Sequence, residues 1–245
     1  MSLISIPNEK GDIPTFVSKP KGDGPWPGVV IIHDALGMTE DLRNQARWLA
    51  QEGYMAVAPD LFHWGGRVSC LVKTMRDLVK GDKGRVFDDI ASVKTWLEAQ
   101  VDCTGKVGIV GFCYGGGFAL ALAPNHGYSA VAANYGAVAD WGWPKLEGSC
   151  PIVASYGKED PTLKGEAAKL EEALSEYKIP HDIKEYEGAG HGFMNQHDSE
   201  DSSWIFKILS WVSNTKYNES ATMDARERIV NFFDVYLKNL GITGS

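Results

Sequence analysis

Three side chains in this sequence have the types and order that acyl-transfer chemistry needs: Cys113, Asp160 and His191. Cys113 lies in Gly111-Phe112-Cys113-Tyr114-Gly115, a nucleophile flanked by glycine two positions away on either side. That spacing is the mark of a sharp strand-to-helix turn with the nucleophile at its tip, here carrying Cys where Ser is usual. The glycines remove side chains that would strike the returning helix. The helix that follows aims its first N–H groups and the positive end of its dipole at the site. Asp160 sits in Gly157-Lys158-Glu159-Asp160-Pro161 and His191 in Gly188-Ala189-Gly190-His191-Gly192-Phe193. A thiol, an imidazole to share its proton and a carboxylate to hold the imidazole make a nucleophilic triad. Each residue also has a plain structural reading. Cys113 can be a buried inert thiol, Asp160 a turn residue or helix cap, and His191 an ordinary loop residue. The three together, in the order nucleophile, acid, histidine, favour the catalytic reading.

The elements that must position them alternate between strand and helix patterns. Residues 106–123, KVGIVGFCYGGGFALALA, begin as a β-branched strand and end as an apolar helix. IPTFVS at 13–18 reads as a short strand, and 20–27 as a Gly/Pro-rich loop. GVVII at 28–32 is a continuous apolar run, which fits a strand covered on both faces. Thr39 can cap a helix to about residue 52, with Leu42, Ala46, Leu49 and Ala50 on its inner face. Further strands are expected over 54–58, 129–134, 151–156 and 181–186, with helices over 86–97, 165–177 and 223–237. The stretch 61–84 is less regular. It is the candidate cap over a site, and its plainer reading is a solvated surface helix. This alternation predicts an α/β fold, a mostly parallel sheet with helices on both faces. Each of the three residues then follows a strand, on the edge where open α/β sheets gather their sites.

Composition narrows the function classes. A net charge of −8 disfavours nucleic acid and anionic membrane as partners. No apolar run is long enough to span a bilayer, and no basic stretch leads into one at the start, so neither a membrane anchor nor a signal peptide is expected. Cys70, Cys103, Cys113 and Cys150 are scattered without a C-x-x-C, which fits a reducing cytoplasm. No third ligand with useful spacing joins His33 and His63, and His126, His181 and His197 lack a comparable setting. No metal and no cofactor is expected.

At these motifs the sequence resembles the dienelactone hydrolase family of α/β-hydrolases. The resemblance runs over nearly the whole chain. It rests on G-F-C-Y-G-G at 111–116, Pro59-Asp60-Leu61-Phe62, Gly157-Lys158-Glu159-Asp160, and Gly188-Ala189-Gly190-His191-Gly192-Phe193. It implies one α/β-hydrolase domain over 1–245 and a Cys113–Asp160–His191 triad. It also implies an oxyanion hole from two backbone N–H groups, Tyr114 after the nucleophile and Ala35 after the first apolar strand. A family glutamate implicated in thiol activation corresponds to Asp34, one methylene shorter. An arginine that recognises a substrate carboxylate a few positions past the histidine is replaced by Phe193-Met194-Asn195-Gln196. Arg76 or Arg67 is then the candidate for an acidic group. Tyr114, Phe193, Trp64 and Trp141 are candidates to line a pocket, each with ordinary core as its alternative. The stretch 204–218 is longer and more aromatic than the family needs, and reads as a pocket wall or a dimer contact. The expected partner is a small ester or lactone, for a monomer or homodimer. Thiolate is also a good leaving group, so activated esters, lactones and thioesters are the expected substrates and amides are poor ones. A broad carboxylesterase, a non-catalytic ligand-binding scaffold and a redox role for Cys113 remain as alternatives.

Overall fold

The computed structural model describes residues 1–81, 83–137, 146–197 and 215–239. Trp141, Trp143 and the aromatic stretch 204–214 lie outside the described residues.

An eight-stranded sheet in the order β1-β2-β4-β3-β5-β6-β7-β8 organises the described chain. Its strands are β1 (Ser2–Ile6), β2 (Ile13–Ser18), β3 (Trp26–Ile32), β4 (Met55–Pro59), β5 (Cys103–Phe112), β6 (Ala130–Asn134), β7 (Ile152–Gly157) and β8 (His181–Tyr186). β1 and β2 join antiparallel at one margin, and β4, β3, β5, β6, β7 and β8 run parallel. The helices are α1 (Glu40–Gln51), α2 (Arg67–Lys80), α3 (Arg85–Glu98), α4 (Tyr114–Ala121), α5 (Glu166–Glu176) and α6 (Glu219–Leu237).

The continuous apolar strands are covered on both faces because their side chains alternate. Val30, Ile32, Val107 and Ile109 pack with Phe87, Ile90, Val93 and Leu97 of α3, Phe118 of α4 and Leu170 and Leu174 of α5. Val29, Ile31, Val110 and Phe112 pack on the opposite face with Leu42, Ala46 and Leu49 of α1 and Ile229, Phe233 and Leu237 of α6. The expected α/β architecture is therefore the observed one.

The differences lie at the margins. β1 is not signalled by its own pattern: SLISI is largely exposed, with Ile6 buried in the core and Ile4 packed partly against it. Its partner β2 supplies the pairing that its own pattern does not announce. α6 begins at Glu219 rather than residue 223, because the Asn218 side chain caps it by accepting from Ala221 N–H. The irregular stretch 61–84 contains α2, whose Cys70 and Thr74 face inward while Val68, Val72, Met75 and Val79 are exposed.

Candidate active site

The parallel strands end on one edge, and the loops that leave it carry every residue of the site. The end of β5 runs beside Ile32 of β3 and Asn134 of β6. There the chain turns sharply into α4, with Cys113 at φ 58°, ψ −126°. A non-glycine residue in that region costs about 1–3 kcal/mol and persists only where its surroundings hold it. They do so here. Cys113 N–H donates to Asn134 O at 3.1 Å, and Cys113 O accepts from Gly116 N–H at 2.9 Å. Asn134 Nδ2 in turn donates to Gly111 O at 3.2 Å. A Cβ on Gly111 would lie 1.9 Å from Gly115 O, and one on Gly115 would lie 2.5 Å from Ile32 O. The turn therefore requires glycine at both flanks.

His191, in the loop after β8, lies close enough to the Cys113 side chain for the two to interact electrostatically. Its Nδ1 lies 2.6 Å from Asp160 Oδ2. Asp160, in the loop after β7, is fixed through Oδ1, which accepts from Thr162 N–H at 2.8 Å and Thr162 Oγ1–H at 2.6 Å. Burial alone pushes an imidazolium down. Cys113 and Asp160 beside it outweigh that and lift His191 to about 10. Burial likewise pushes Asp160 up, and the hydrogen bonds and charge of His191 with the two bonds from Thr162 hold it below its ordinary value. The arrangement favours a proton on the imidazole and negative charge on the Asp160 carboxylate.

Beneath the imidazole lies Tyr135, its ring edge-on to His191 with centroids 5.3 Å apart. The Tyr135 hydroxyl donates to Asn195 Oδ1, and Asn195 Nδ2 donates to Asp41 Oδ2 at 2.6 Å. Gln196 N–H donates to Asp41 Oδ1 at 2.9 Å, and Gln45 Nε2 to Met194 O at 3.0 Å. The first turns of α1 thus carry the loop that carries His191.

The other loop of the site follows β3. Among the described residues, neither the Ala35 nor the Tyr114 backbone N–H donates to a protein acceptor. Two free donors at these positions suit a developing oxyanion. His33 is fully buried. Leu61 N–H donates to its Nε2 at 3.0 Å, so that nitrogen is the acceptor and Nδ1 carries the proton. Nδ1–H is shared between Asp34 O and the Tyr114 hydroxyl, each at 2.7 Å. Burial, the largest influence, holds His33 below its usual 6.5 against the pull of Asp34 and Asp60.

Asp34 Oδ1 accepts from Leu36 N–H at 2.9 Å, and Oδ2 lies 2.6 Å from His197 Nε2. Burial pushes Asp34 up, and His197 and Leu36 N–H hold it below the ordinary carboxylate value. Of the pocket candidates, Phe193 is fully buried between the Tyr135 and Tyr186 rings. Tyr114 is buried with its hydroxyl turned to His33. Trp64 is half-buried beneath Lys73 and Arg85, 5.1 and 5.2 Å from its ring centre. Arg76 is exposed on α2. Asn134, Tyr135, Asn195, His33 and His197 stand around the candidate site in places that their sequence positions do not signal. The one hint is that His197 shares the loop of His191.

No group of three or more His, Cys, Asp or Glu among the described residues could hold a metal ion. No helix among them is long and apolar enough to cross a membrane. All four cysteines are free.

The model of the dienelactone hydrolase family matches residues 13–237. A Synechocystis sp. protein named "Putative carboxymethylenebutenolidase" is 26% identical over 97% of each chain. A carboxymethylenebutenolidase of Rhodococcus opacus is 28% identical over 85% of this chain and 81% of its own. The crystal structure of a Klebsiella pneumoniae protein named "Putative Dienelactone Hydrolase" superposes with a TM-score of 0.76 at 26% identity, covering 96% of this chain and 98% of that one.

Proposed function

The chain belongs to the dienelactone hydrolase family, and from that premise we propose that it hydrolyses activated carboxylic esters or lactones through a thioester on Cys113. The sulfur attacks the carbonyl carbon, and the carbonyl oxygen takes the negative charge between the Ala35 and Tyr114 N–H groups. As the tetrahedral intermediate collapses, the C–O bond breaks and His191 passes its proton to the departing oxygen. His191 then takes a proton from water, the hydroxide attacks the thioester, and the C–S bond breaks to return the thiolate. Asp160 holds the His191 ring and stabilises its charge throughout.

The observation that carries this reading is the pairing of His191 with Asp160 at the edge where Cys113 stands at the tip of a strained turn, close enough to act on the imidazole. Because thiolate departs readily, the tetrahedral intermediate goes forward only when the substrate's own leaving group competes. Substrates are therefore esters of acidic alcohols, enol lactones and thioesters. A thiol nucleophile works in a reducing setting, so the proposed compartment is the cytoplasm.

One observation favours a broad ester specificity over an acidic lactone. The loop beyond His191 presents buried Phe193 and Met194, and its Asn195 is bound to Asp41 and Tyr135. Among its described residues it offers no Lys or Arg for a substrate carboxylate. The test compares p-nitrophenyl acetate, dienelactone and p-nitroacetanilide with wild type and Cys113→Ala. The reading expects ester turnover by wild type alone and an inert anilide. Equal rates from the two proteins contradict it, and a dienelactone rate far above the acetate rate contradicts the broad specificity.

A further inference from the structure

Beside the nucleophile stands a second buried Asp–His pair, Asp34–His197, that the proposed hydrolysis does not use. Its side chains are 10% and 9% exposed, and their polar atoms are 2.6 Å apart. Asp34 lies in the turn that presents the Ala35 N–H, and His197 lies in the loop that presents His191.

Several backbone groups beside Ala35 are tied. Asp34 Oδ1 accepts Leu36 N–H at 2.9 Å, and Asp34 O accepts Gly37 N–H at 3.1 Å. The same carbonyl accepts from His33 Nδ1, whose Nε2 is held by Leu61 N–H. These bonds are local to one side of the site. The Asp34–His197 contact is different, since it joins residues 163 positions apart. His197 itself is set by the loop from His191, which α1 grips through Asp41 and Gln45.

We propose that Asp34 and His197 are positioning residues, a latch that keeps the Ala35 N–H in register with Cys113 and His191. This rests on the hydrolase reading above. Oxyanion stabilisation demands such registry, because the donor must meet the oxygen of the intermediate at hydrogen-bond distance. In this arrangement Asp34 acts on the oxyanion loop rather than on the thiol.

The experiment separates these two roles with one thiol and two reactions. Ester hydrolysis needs the oxyanion hole. Alkylation of Cys113 by iodoacetamide does not, because the sulfur displaces iodide from a saturated carbon. His197→Ala is expected to lower kcat for p-nitrophenyl acetate about 10–100-fold, short of the ~10²–10³-fold typical of deleting an oxyanion donor outright. KM and the alkylation rate of Cys113 are expected to stay within about twofold. His197→Gln is expected to recover most of kcat, since its amide nitrogen can donate to Asp34 from nearly the place of Nε2. Alkylation falling in step with turnover overturns the proposal, because the pair would then serve the thiol. So does unchanged turnover in His197→Ala, or a folded His197→Gln as slow as His197→Ala. Turnover that survives Cys113→Ala overturns the hydrolase reading, and this one with it.

Discussion

Two aspartate–histidine pairs stand at the carboxyl edge of the sheet, each with its polar atoms 2.6 Å apart and each largely shielded from solvent. Their aspartates are built alike. In both, one carboxylate oxygen accepts a backbone N–H two residues on, from Thr162 or from Leu36, and the other meets the imidazole. In both, these bonds outweigh burial and hold the carboxylate ionised. What differs is the setting of the ring. His191 reaches the Cys113 sulfur, whereas His197 bridges to the turn that carries Ala35. A third pair shows what the close contact contributes. His63 and Asp89 are 3.2 Å apart, with Arg85 at 3.7 Å, and there burial wins and Asp89 is pushed up. On the proposed reading, the same two residue types give a proton carrier, a latch and a plain buried contact, according to distance and neighbours.

The first way to break the comparison is to remove each histidine. His191→Ala is expected to lower kcat by about 10²–10⁴-fold, against the far smaller loss for His197→Ala, both read from steady-state ester hydrolysis. Comparable losses would erase the distinction between proton carrier and latch. Asp160→Asn is expected to lower kcat about 10³-fold while leaving the turn intact, since the amide no longer holds the charged imidazole.

The pH dependence sharpens the contrast between His191 and His33. His191 is raised to about 10, so the stabilising charge pairing is complete below the ordinary imidazole value and is lost as pH rises through about 10. Turnover by wild type should decline over the same alkaline range, and Asp160→Asn should bring that decline to lower pH. His33 has the opposite sign. It is lowered from 6.5, so the unfolded chain takes up a proton there before the folded protein does. Its contribution is full above about 6.5 and shrinks as pH falls below. The melting temperature should therefore drop on acidification from pH 7 to 5, and less so in His33→Asn. The smallest effect is expected at the third pair. Asp89→Asn removes a poorly compensated buried carboxylate and should leave turnover within about twofold and the melting temperature nearly unchanged or higher.

The sequence made the frame of the site legible for a physical reason. The continuous apolar runs of β3 and β5 can only be strands covered on both faces, and the glycines at 111 and 115 answer clashes that a Cβ would meet at 1.9 and 2.5 Å. Residues following parallel strands must then share one edge. Pairings made across that edge carry no such pattern. Asp34 and His197 are 163 positions apart, and Asn195 and Asp41 are 154 apart. Nothing in the spacing of either pair announces contact, because loops of different strands set it. Phe193 illustrates the converse. A residue two positions from His191 looks available to a substrate, yet the backbone turn carries it into the core beside Tyr135 and Tyr186.

The most direct test of the central claim is to quench wild-type protein during turnover of p-nitrophenyl acetate and locate the acetyl group by peptide mass spectrometry. The account predicts a single acetyl group on the peptide containing Cys113, absent after prior alkylation of that thiol and accumulating in His191→Ala only if attack outpaces hydrolysis. Turnover with Cys113 never acetylated, or acetyl found on another side chain at the catalytic rate, would contradict it.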